Sequence, residues 1–245
     1  MISIIIPAYN QHELTDQCIA AVCRHTQEME IILVDNGSTP RYSDTGADMT
    51  IRNEKNLGFP AAVNHGIEAA KGDIVILLNN DVIVTRDWAK RLVDHLRQFA
   101  IIAPMTNYCA GLQRITTPAY ETEEELNAVA AELSLTSSVS AGGSVQAANW
   151  IIGFCMAFRK SLWEEIGPFD ESLWPCSGEE IDFCLRARAA GRKVGIARDV
   201  YVHHFGSQTF ADMQQAGQIN YNQVVDRNNA HLTKKWGESW IKQTV

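Results

Sequence analysis

Gly72-Asp73-Ile74-Val75-Ile76-Leu77-Leu78-Asn79-Asn80-Asp81-Val82 is the stretch that decides the fold. The five consecutive branched aliphatics, Ile74 to Leu78, read as a strand buried on both faces. That pattern belongs to a parallel sheet covered by helices. The run then ends in three polar residues, the last a carboxylate. In open α/β sheets, ligands bind beyond the carboxyl ends of the strands. An acid at such an end is well placed for a divalent cation, which takes hard oxygen ligands and can bridge phosphate oxygens.

On the N-terminal side, strand and helix patterns alternate. Ser3-Ile4-Ile5-Ile6 reads as a short buried strand stopped by Pro7, and Leu14, Cys18, Ala21 and Val22 recur at helical spacing. Ile31-Ile32-Leu33-Val34 reads as a second strand, ending at the turn signal Asp35-Asn36-Gly37-Ser38. Thr50-Ile51-Arg52 is a third, shorter candidate. Phe59, Val63, Ile67 and Ala70 mark one helix face that Gly72 ends, and Trp88, Leu92, Val93 and Leu96 mark the next. This βαβαβ order predicts a parallel sheet with right-handed crossovers. Pro7–Asn10, Asp35–Ser38 and Asn79–Asp81 should then gather at one sheet edge.

On the C-terminal side, order weakens between about residues 104 and 148. A surface helix is expected over Glu121–Leu133 and a flexible loop over Ser134–Ser144, which is rich in Ser, Gly and Thr. Trp150–Phe158 is an apolar, strand-like run containing Gly153. Ser161–Ile166 and Glu179–Ala190 read as helices, Val194–His203 as a strand, and the polar tail from Gln208 as helical with anchors Trp236 and Trp240.

Composition narrows the function. The 245 residues are 46% hydrophobic and carry a formal net charge of −8, which suits one large α/β domain. The acidic balance argues against nucleic acid or an anionic membrane as the main partner, since both need a basic surface. Met1-Ile2-Ser3-Ile4 reads as a strand, not a signal peptide. No apolar run approaches the ~18 residues of a membrane helix. The six cysteines form no CxxC pair, so free thiols in a reducing cytosol are expected.

Four constellations carry chemistry. Asp35, at a strand end, can accept hydrogen bonds from a ribose or base, or can cap its own turn. Asn56-Leu57-Gly58-Phe59-Pro60 opens a helix whose free amides favour anions, without the GxGxxG or Walker patterns. Asp81 is the only acid of Asn79-Asn80-Asp81, and His203-His204, at a strand exit, can add an imidazole ligand for a metal such as Mn²⁺. Glu179-Glu180-Ile181-Asp182 puts three acids at a helix start. They suit the helix dipole, and one of them can serve as a general base.

Taken together these residues resemble glycosyltransferase family 2, inverting enzymes of the GT-A fold that include rhamnosyltransferase-like members. The likeness runs over positions 2–206. It is carried by Ser3–Asn10, Val34–Ser38, Asn56–Phe59 with Asn64 and Gly66, Asn79–Asp81, Gly153–Met156, Gly167–Glu171, Glu179–Phe183 and His204. The resemblance implies an α/β fold with a mostly parallel central sheet flanked by helices and a Rossmann-like N-terminal half. A single domain over 1–245 is expected, with a nucleotide-sugar-binding half over 1–105 and an acceptor-binding half and tail over 106–245.

By the same resemblance, Pro7, Tyr9, Asp35, Asn64 and Asn80 bind the nucleotide. Asn79-Asn80-Asp81 stands where the family has its DxD motif, with Asn79 in place of the first acid. Mn²⁺ or Mg²⁺ should therefore lie on Asp81 and His204, with His203 left open as the alternative by one position. Glu180 stands at the family's general-base position. Trp150, Gly153, Glu179 and Asp182 are acceptor-side candidates. The implied reaction moves a sugar from a UDP-, GDP- or dTDP-type donor to a saccharide hydroxyl in cell-surface polysaccharide or glycoprotein glycan assembly. The lack of a membrane-helix run suggests a cytoplasmic enzyme, either soluble or docked peripherally at the inner membrane face. Two other readings remain. A nucleotidyltransferase would show a glycine-rich, basic loop after the first strand, and Pro7–Glu13 has no Gly, Lys or Arg. A degenerate nucleotide-sugar- or carbohydrate-binding module would explain the single acid at Asp81.

Overall fold

The computed structural model describes residues 1–139, 143–206 and 208–242. The first half runs β1 (Ile2–Ala8), α1 (His12–His25), β2 (Met29–Asn36), β3 (Met49–Asn53), α2 (Phe59–Ala69), β4 (Ile74–Leu78), β5 (Val82–Ile83) and α3 (Trp88–His95). The second half runs β6 (Ile101–Thr106), α4 (Glu123–Ser138), β7 (Val145–Ala148), β8 (Cys155–Arg159), α5 (Lys160–Ile166), α6 (Glu179–Ala189), β9 (Val194–His204), α7 (Gln208–Gln215) and α8 (Tyr221–Trp236).

The described strands form one sheet in the order β3-β2-β1-β4-β8-β6-β9-β5, with β7 paired to β9. The continuous apolar runs are explained by the two layers that cover it. Ile5, Ile32, Val34, Val75 and Leu77 pack on one face with Ala62, Val63 and Ile67 of α2. Their strand neighbours Ile4, Ile6, Ile31, Leu33, Ile76 and Leu78 point to the other face, against Cys18 and Val22 of α1 and Trp88 and Leu92 of α3. Burying one such side chain contributes about 1.5–3 kcal/mol. Gly66 lets α2 approach this closely, because a Cβ there would lie 2.4 Å from Ile5 Cγ2.

The parallel arrangement predicted from the βαβαβ order holds for β1 with β2, β1 with β4 and β2 with β3. Beyond β4 the sheet is mixed: β8 is antiparallel to β4 and β6, while β6 is parallel to β9. Several boundaries differ from the sequence expectations. β1 continues through Pro7 to Ala8, because there it has lost β4 and pairs only with β2, so a missing N–H is tolerated. β7 and the end of β6 lie in the stretch expected to be weakly ordered. The strand expected over Trp150–Phe158 starts only at Cys155. α4 begins in a Thr122–Glu125 capping box and reaches Ser138, so 134–138 is helix and not loop. Residues 140–142 of that expected loop lie outside the described residues.

β9 positions the site. Its register against β6 shifts between Pro104 and Met105, where the partner jumps from Ala197 to Tyr201. This irregularity re-aims the strand end, whose last two residues pair antiparallel with β5, Val82 opposite His204 and Ile83 opposite His203. α8 braces the loop before α6: Asn228 Nδ2 donates to the carbonyls of Leu173, Cys176 and Ser177 at 3.2, 2.8 and 2.9 Å. Among the described residues, no helix is long and apolar enough to cross a membrane.

Candidate active site

The carboxyl ends of β1, β2 and β4 meet at one edge, as the strand order requires, and a cleft opens there between Pro7, Tyr9, Asn36, Asn56, Asn80 and Asp81. A second cleft adjoins it, lined by Tyr108, Arg114, Gly153, Glu179, Glu180 and His204 among others. The two share Phe59 and Asn79. α7 contributes Thr209 and Met213 to the first cleft.

The first cleft is rigid for local reasons. Asn36 Oδ1 accepts from Asn53 Nδ2 and Leu57 N at 2.9 and 3.1 Å, while its amide donates to Asn56 Oδ1 and Gly58 O at 3.0 and 3.1 Å. The β2 turn is thereby fastened to the loop that opens α2. Asn80 Nδ2 donates to Thr15 Oγ1 at 2.9 Å, fixing α1 against the exit of β4.

Asp81 and His204 are adjacent. His204 Nδ1 lies 2.8 Å from the Tyr108 carbonyl. A carbonyl only accepts, so Nδ1 carries a proton, and Nε2 is the ring nitrogen that faces inward. That Nε2 is 3.2 Å from Asp81 Oδ1, an ion-pair distance, yet it is buried and makes no hydrogen bond. Phe154 stacks on the ring, with centroids 5.2 Å apart, and holds it in place. His203 points to the opposite face, where Nδ1 meets the Tyr120 hydroxyl at 2.5 Å. Burial, then the neighbouring His204, lowers its pKa. Alternation along β9 thus separates the two imidazoles.

The Asp81–His204 pair is chemically suited to a divalent ion. Two ligands at ~2.1 Å from an octahedral ion stand about 3 Å apart, close to the spacing here. Buried Asn79 Oδ1 also lacks a partner and lines both clefts. Among the described residues, no three His, Cys, Asp or Glu side chains cluster as a self-sufficient metal site. Such a pair leaves most positions for phosphate oxygens and water, the usual arrangement for Mg²⁺.

α6 supplies the acids. Its N-cap, Gly178, has φ 106°, a left-handed turn that aims Glu179 and Glu180 into the second cleft. Glu180 Oε2 accepts from Gly178 N at 3.1 Å. A Cβ on Gly153 would lie 2.9 Å from Glu180 Cβ, so only glycine permits this approach. Burial raises the Glu180 carboxyl above its ordinary range, opposed by backbone N–H groups including those of Gly178, Ile181 and Gly153. Glu179 is raised well above it by burial and then by the Glu180 charge, and its Oε2 is buried with no hydrogen-bond partner.

Four of the expected site residues do other work. Asp35 is only 1% exposed and does not line either cleft. Its Oδ1 accepts from Ser38 N at 2.9 Å, and its Oδ2 from Tyr42 N at 3.1 Å and Arg52 Nη1 at 2.5 Å. Burial alone would raise its pKa, but the bonds from Ser38, Arg52 and Tyr42 prevail and lower it. Asn64 is spent on Phe169, whose carbonyl and N–H it meets at 3.0 and 2.9 Å, and on Glu171. Trp150 donates its indole N–H to Trp240 O at 2.7 Å. Asp182 is fully buried and accepts from Arg186, Trp236 and Lys235 at 2.8, 2.8 and 2.7 Å. In each case the polar group has protein partners, as buried polar groups usually do.

Three residues that the motifs passed over belong to the site. Asn79 offers its free oxygen. The carbonyl of Tyr108 orients His204. Arg114 is the only Lys or Arg lining the second cleft and makes no ion pair among the described residues. No local pattern flagged Tyr108 or Arg114, which arrive from the irregular stretch after β6.

The model of glycosyl transferase family 2 matches residues 3–167. The glycosyltransferase AglE of Haloferax volcanii is 28% identical over 83% of this chain and 66% of its own. The uncharacterized glycosyltransferase EpsJ of Bacillus subtilis is 31% identical over 40% of this chain and 31% of its own. The chain thus spans from about a third to two thirds of the length of these curated relatives. GalNAc-T7, crystallised with UDP, GalNAc and Mn²⁺, superposes with a TM-score of 0.64 at 17% identity, over 83% of this chain and 43% of that one. Staphylococcus aureus TarS in complex with UDP-GlcNAc superposes with a TM-score of 0.53 at 16% identity, over 82% of this chain and 58% of that one. At these identities the structural likeness speaks for the fold alone, a GT-A-type sheet. With the family model matching well over half of its residues, the chain belongs to glycosyl transferase family 2.

Proposed function

We propose that this protein is a divalent-metal-dependent, inverting glycosyltransferase. It moves a sugar from a nucleoside-diphosphate sugar to a saccharide hydroxyl in the assembly of cell-surface polysaccharides or glycans. One observation carries the reading. Three buried polar atoms without partners, Asn79 Oδ1, Glu179 Oε2 and His204 Nε2, converge on a single cleft. Buried polar groups are nearly always paired, so a concentration of unpaired ones marks where a polar ligand belongs.

The first cleft takes the nucleotide, against Pro7, Tyr9, Asn36 and Asn56. Asp81 and His204 would hold Mn²⁺ or Mg²⁺, with Asn79 beside them. Such an ion supplies charge neutralisation for the departing diphosphate. Arg114 adds a second positive charge on the same side. In the second cleft Glu180 removes the proton of the acceptor hydroxyl. That oxygen attacks the anomeric carbon as the bond to the diphosphate breaks, and the configuration inverts. A carboxyl raised by burial suits a general base near neutral pH. Backbone N–H groups donate to Glu180 and oppose its rise, whereas Glu179 is raised well above its ordinary range by burial and the Glu180 charge, which makes Glu180 the better base candidate. Free thiols at all six cysteines suit a cytoplasmic setting.

The test is a panel of UDP-, GDP- and dTDP-sugars, with and without Mn²⁺, scored for nucleotide release and for the anomer formed. Metal-dependent release with an inverted product is expected. A retained configuration would sink the mechanism, and tight nucleotide binding without turnover would favour a degenerate binding module.

A further inference from the structure

We infer that Tyr108 and Tyr221 form an aromatic platform that grips a pyranose ring of the acceptor above Glu180. This rests on the second cleft being the acceptor side of glycosyl transfer.

The observation is where the exposed aromatics lie. Among the described residues the exposed aromatic side chains are Tyr108 (47%), Trp174 (37%), Phe205 (40%) and Tyr221 (39%). All four border the site. Tyr108 and Tyr221 line the second cleft itself. Phe205 follows His204, and its N–H donates to the Asp81 carbonyl at 3.0 Å. Trp174 precedes Pro175, which lines the first cleft. Exposed apolar surface gathered in one place marks a binding surface.

The two tyrosines are held where a ring could be gripped. The Tyr108 carbonyl fixes His204, and its ring lies against Gly206, where a Cβ would meet Tyr108 Cδ1 at 2.4 Å. Tyr221 opens α8, which Asn228 ties to Cys176 and Ser177 just before the acids. Both tyrosines therefore share the lining of one cleft with Glu179 and Glu180.

The chemistry selects the occupant. An acyl chain would cover Glu179, Glu180 and His204 without offering a hydrogen bond to any of them. A pyranose has an apolar C–H face and a hydroxyl rim. The face suits an amphipathic aromatic wall, and the rim suits a floor of carboxylates. A nucleobase would be served by the first cleft, beside Tyr9.

The experiment measures binding to the protein loaded with Mn²⁺ and whichever of UDP, GDP or dTDP binds. The probes are five methyl pyranosides (β-glucoside, β-galactoside, β-N-acetylglucosaminide, α-mannoside, α-rhamnoside), with decyl phosphate as the lipid-like control. At least one pyranoside should bind. Tyr221→Ala and Tyr108→Ala should weaken it about 10-fold, while nucleotide affinity moves far less. Tyr221→Phe and Tyr221→Trp should keep it, because stacking needs the ring and not the hydroxyl. The inference is overturned if no pyranoside binds to the nucleotide-loaded protein, or if decyl phosphate binds in their place. It is also overturned if the alanine variants keep full affinity, or if Phe loses as much as Ala. If no nucleotide binds but pyranosides do, the platform stands and the transferase reading falls.

Discussion

His204 Nε2 lies 3.2 Å from Asp81 Oδ1 and forms no hydrogen bond with it. The two residues are 123 positions apart in sequence and meet because β5 pairs with the last rung of β9, Val82 opposite His204. A cation held between the imidazole nitrogen and the carboxylate oxygen would give both a partner.

Asp81→Asn and His204→Ala should each remove most metal-dependent activity. Loss of one ligand from a two-ligand site should weaken Mn²⁺ at least ~10–100-fold, since even supporting residues of metal sites cost that much. Titrating Mn²⁺ against turnover checks this. Unchanged metal dependence in both variants would dissolve the pairing as a metal site.

Asp35→Ala should act on stability before it acts on donor binding. The substitution strands Arg52 and the amides of Ser38 and Tyr42, a loss on the order of 1.5–3 kcal/mol for charge-assisted bonds. The sign with pH follows from its lowered pKa: the contribution is present above the unfolded value near ~3.9 and is lost as pH falls through the folded one. Urea denaturation of both proteins at neutral and acid pH measures it. Equal stability at neutral pH, with a large loss of nucleotide affinity, would reverse the assignment.

Glu180→Gln should lower turnover ~10²–10⁴-fold with nucleotide binding near normal. Asp182→Asn is the contrasting variant. It should mainly destabilise the protein, because Arg186, Lys235 and Trp236 lose a charged partner. If Asp182→Asn abolishes turnover in a stably folded protein while Glu180→Gln does not, the base is misplaced by two residues.

Glu179→Gln should stabilise the protein at neutral pH. Folding raises the Glu179 carboxyl well above its ordinary 4.5, through burial and then Glu180. A raised acid binds more protons folded than unfolded, so stability falls as pH climbs above 4.5 toward the folded value. Glutamine carries no such penalty. Melting temperatures from pH 4 to 8 should diverge progressively in favour of the variant, and parallel curves would contradict the shift.

Gly66→Ala should destabilise by about 1–3 kcal/mol, the usual scale of overpacking. The new methyl would have to enter a space 2.4 Å from Ile5 Cγ2. Activity per folded molecule should be preserved, which separates this packing glycine from Gly153, whose substitution would press on Glu180.

Local sequence carried the central sheet because its signal is local. Ile74–Leu78 and Ile31–Val34 are apolar at every position, which only a doubly covered strand requires. The gathering of Pro7, Asn80 and Asp81 at one edge then followed from parallel order alone. Asn64, Trp150, Asp182 and Asp35, which meet protein partners, carry polar groups whose type fits a ligand as well as a protein partner. Motif position cannot tell which of the two a side chain will find.

By itself the sequence determined the fold class and the edge at which the site opens, and it singled out Asp81, the His203-His204 pair, Glu179 and Glu180 as candidates there. These follow from periodicity, strand order and motif order along the chain. The tertiary structure decided which of His203 and His204 faces Asp81, since a one-residue change along a strand swaps faces. It also decided that Asp35 and Asp182 meet protein partners, and that Tyr108, Arg114 and Tyr221 join the acids in one cleft. Those outcomes depend on a register shift in β9 and on the docking of α8, contacts between segments far apart in the chain that leave no periodic trace in it.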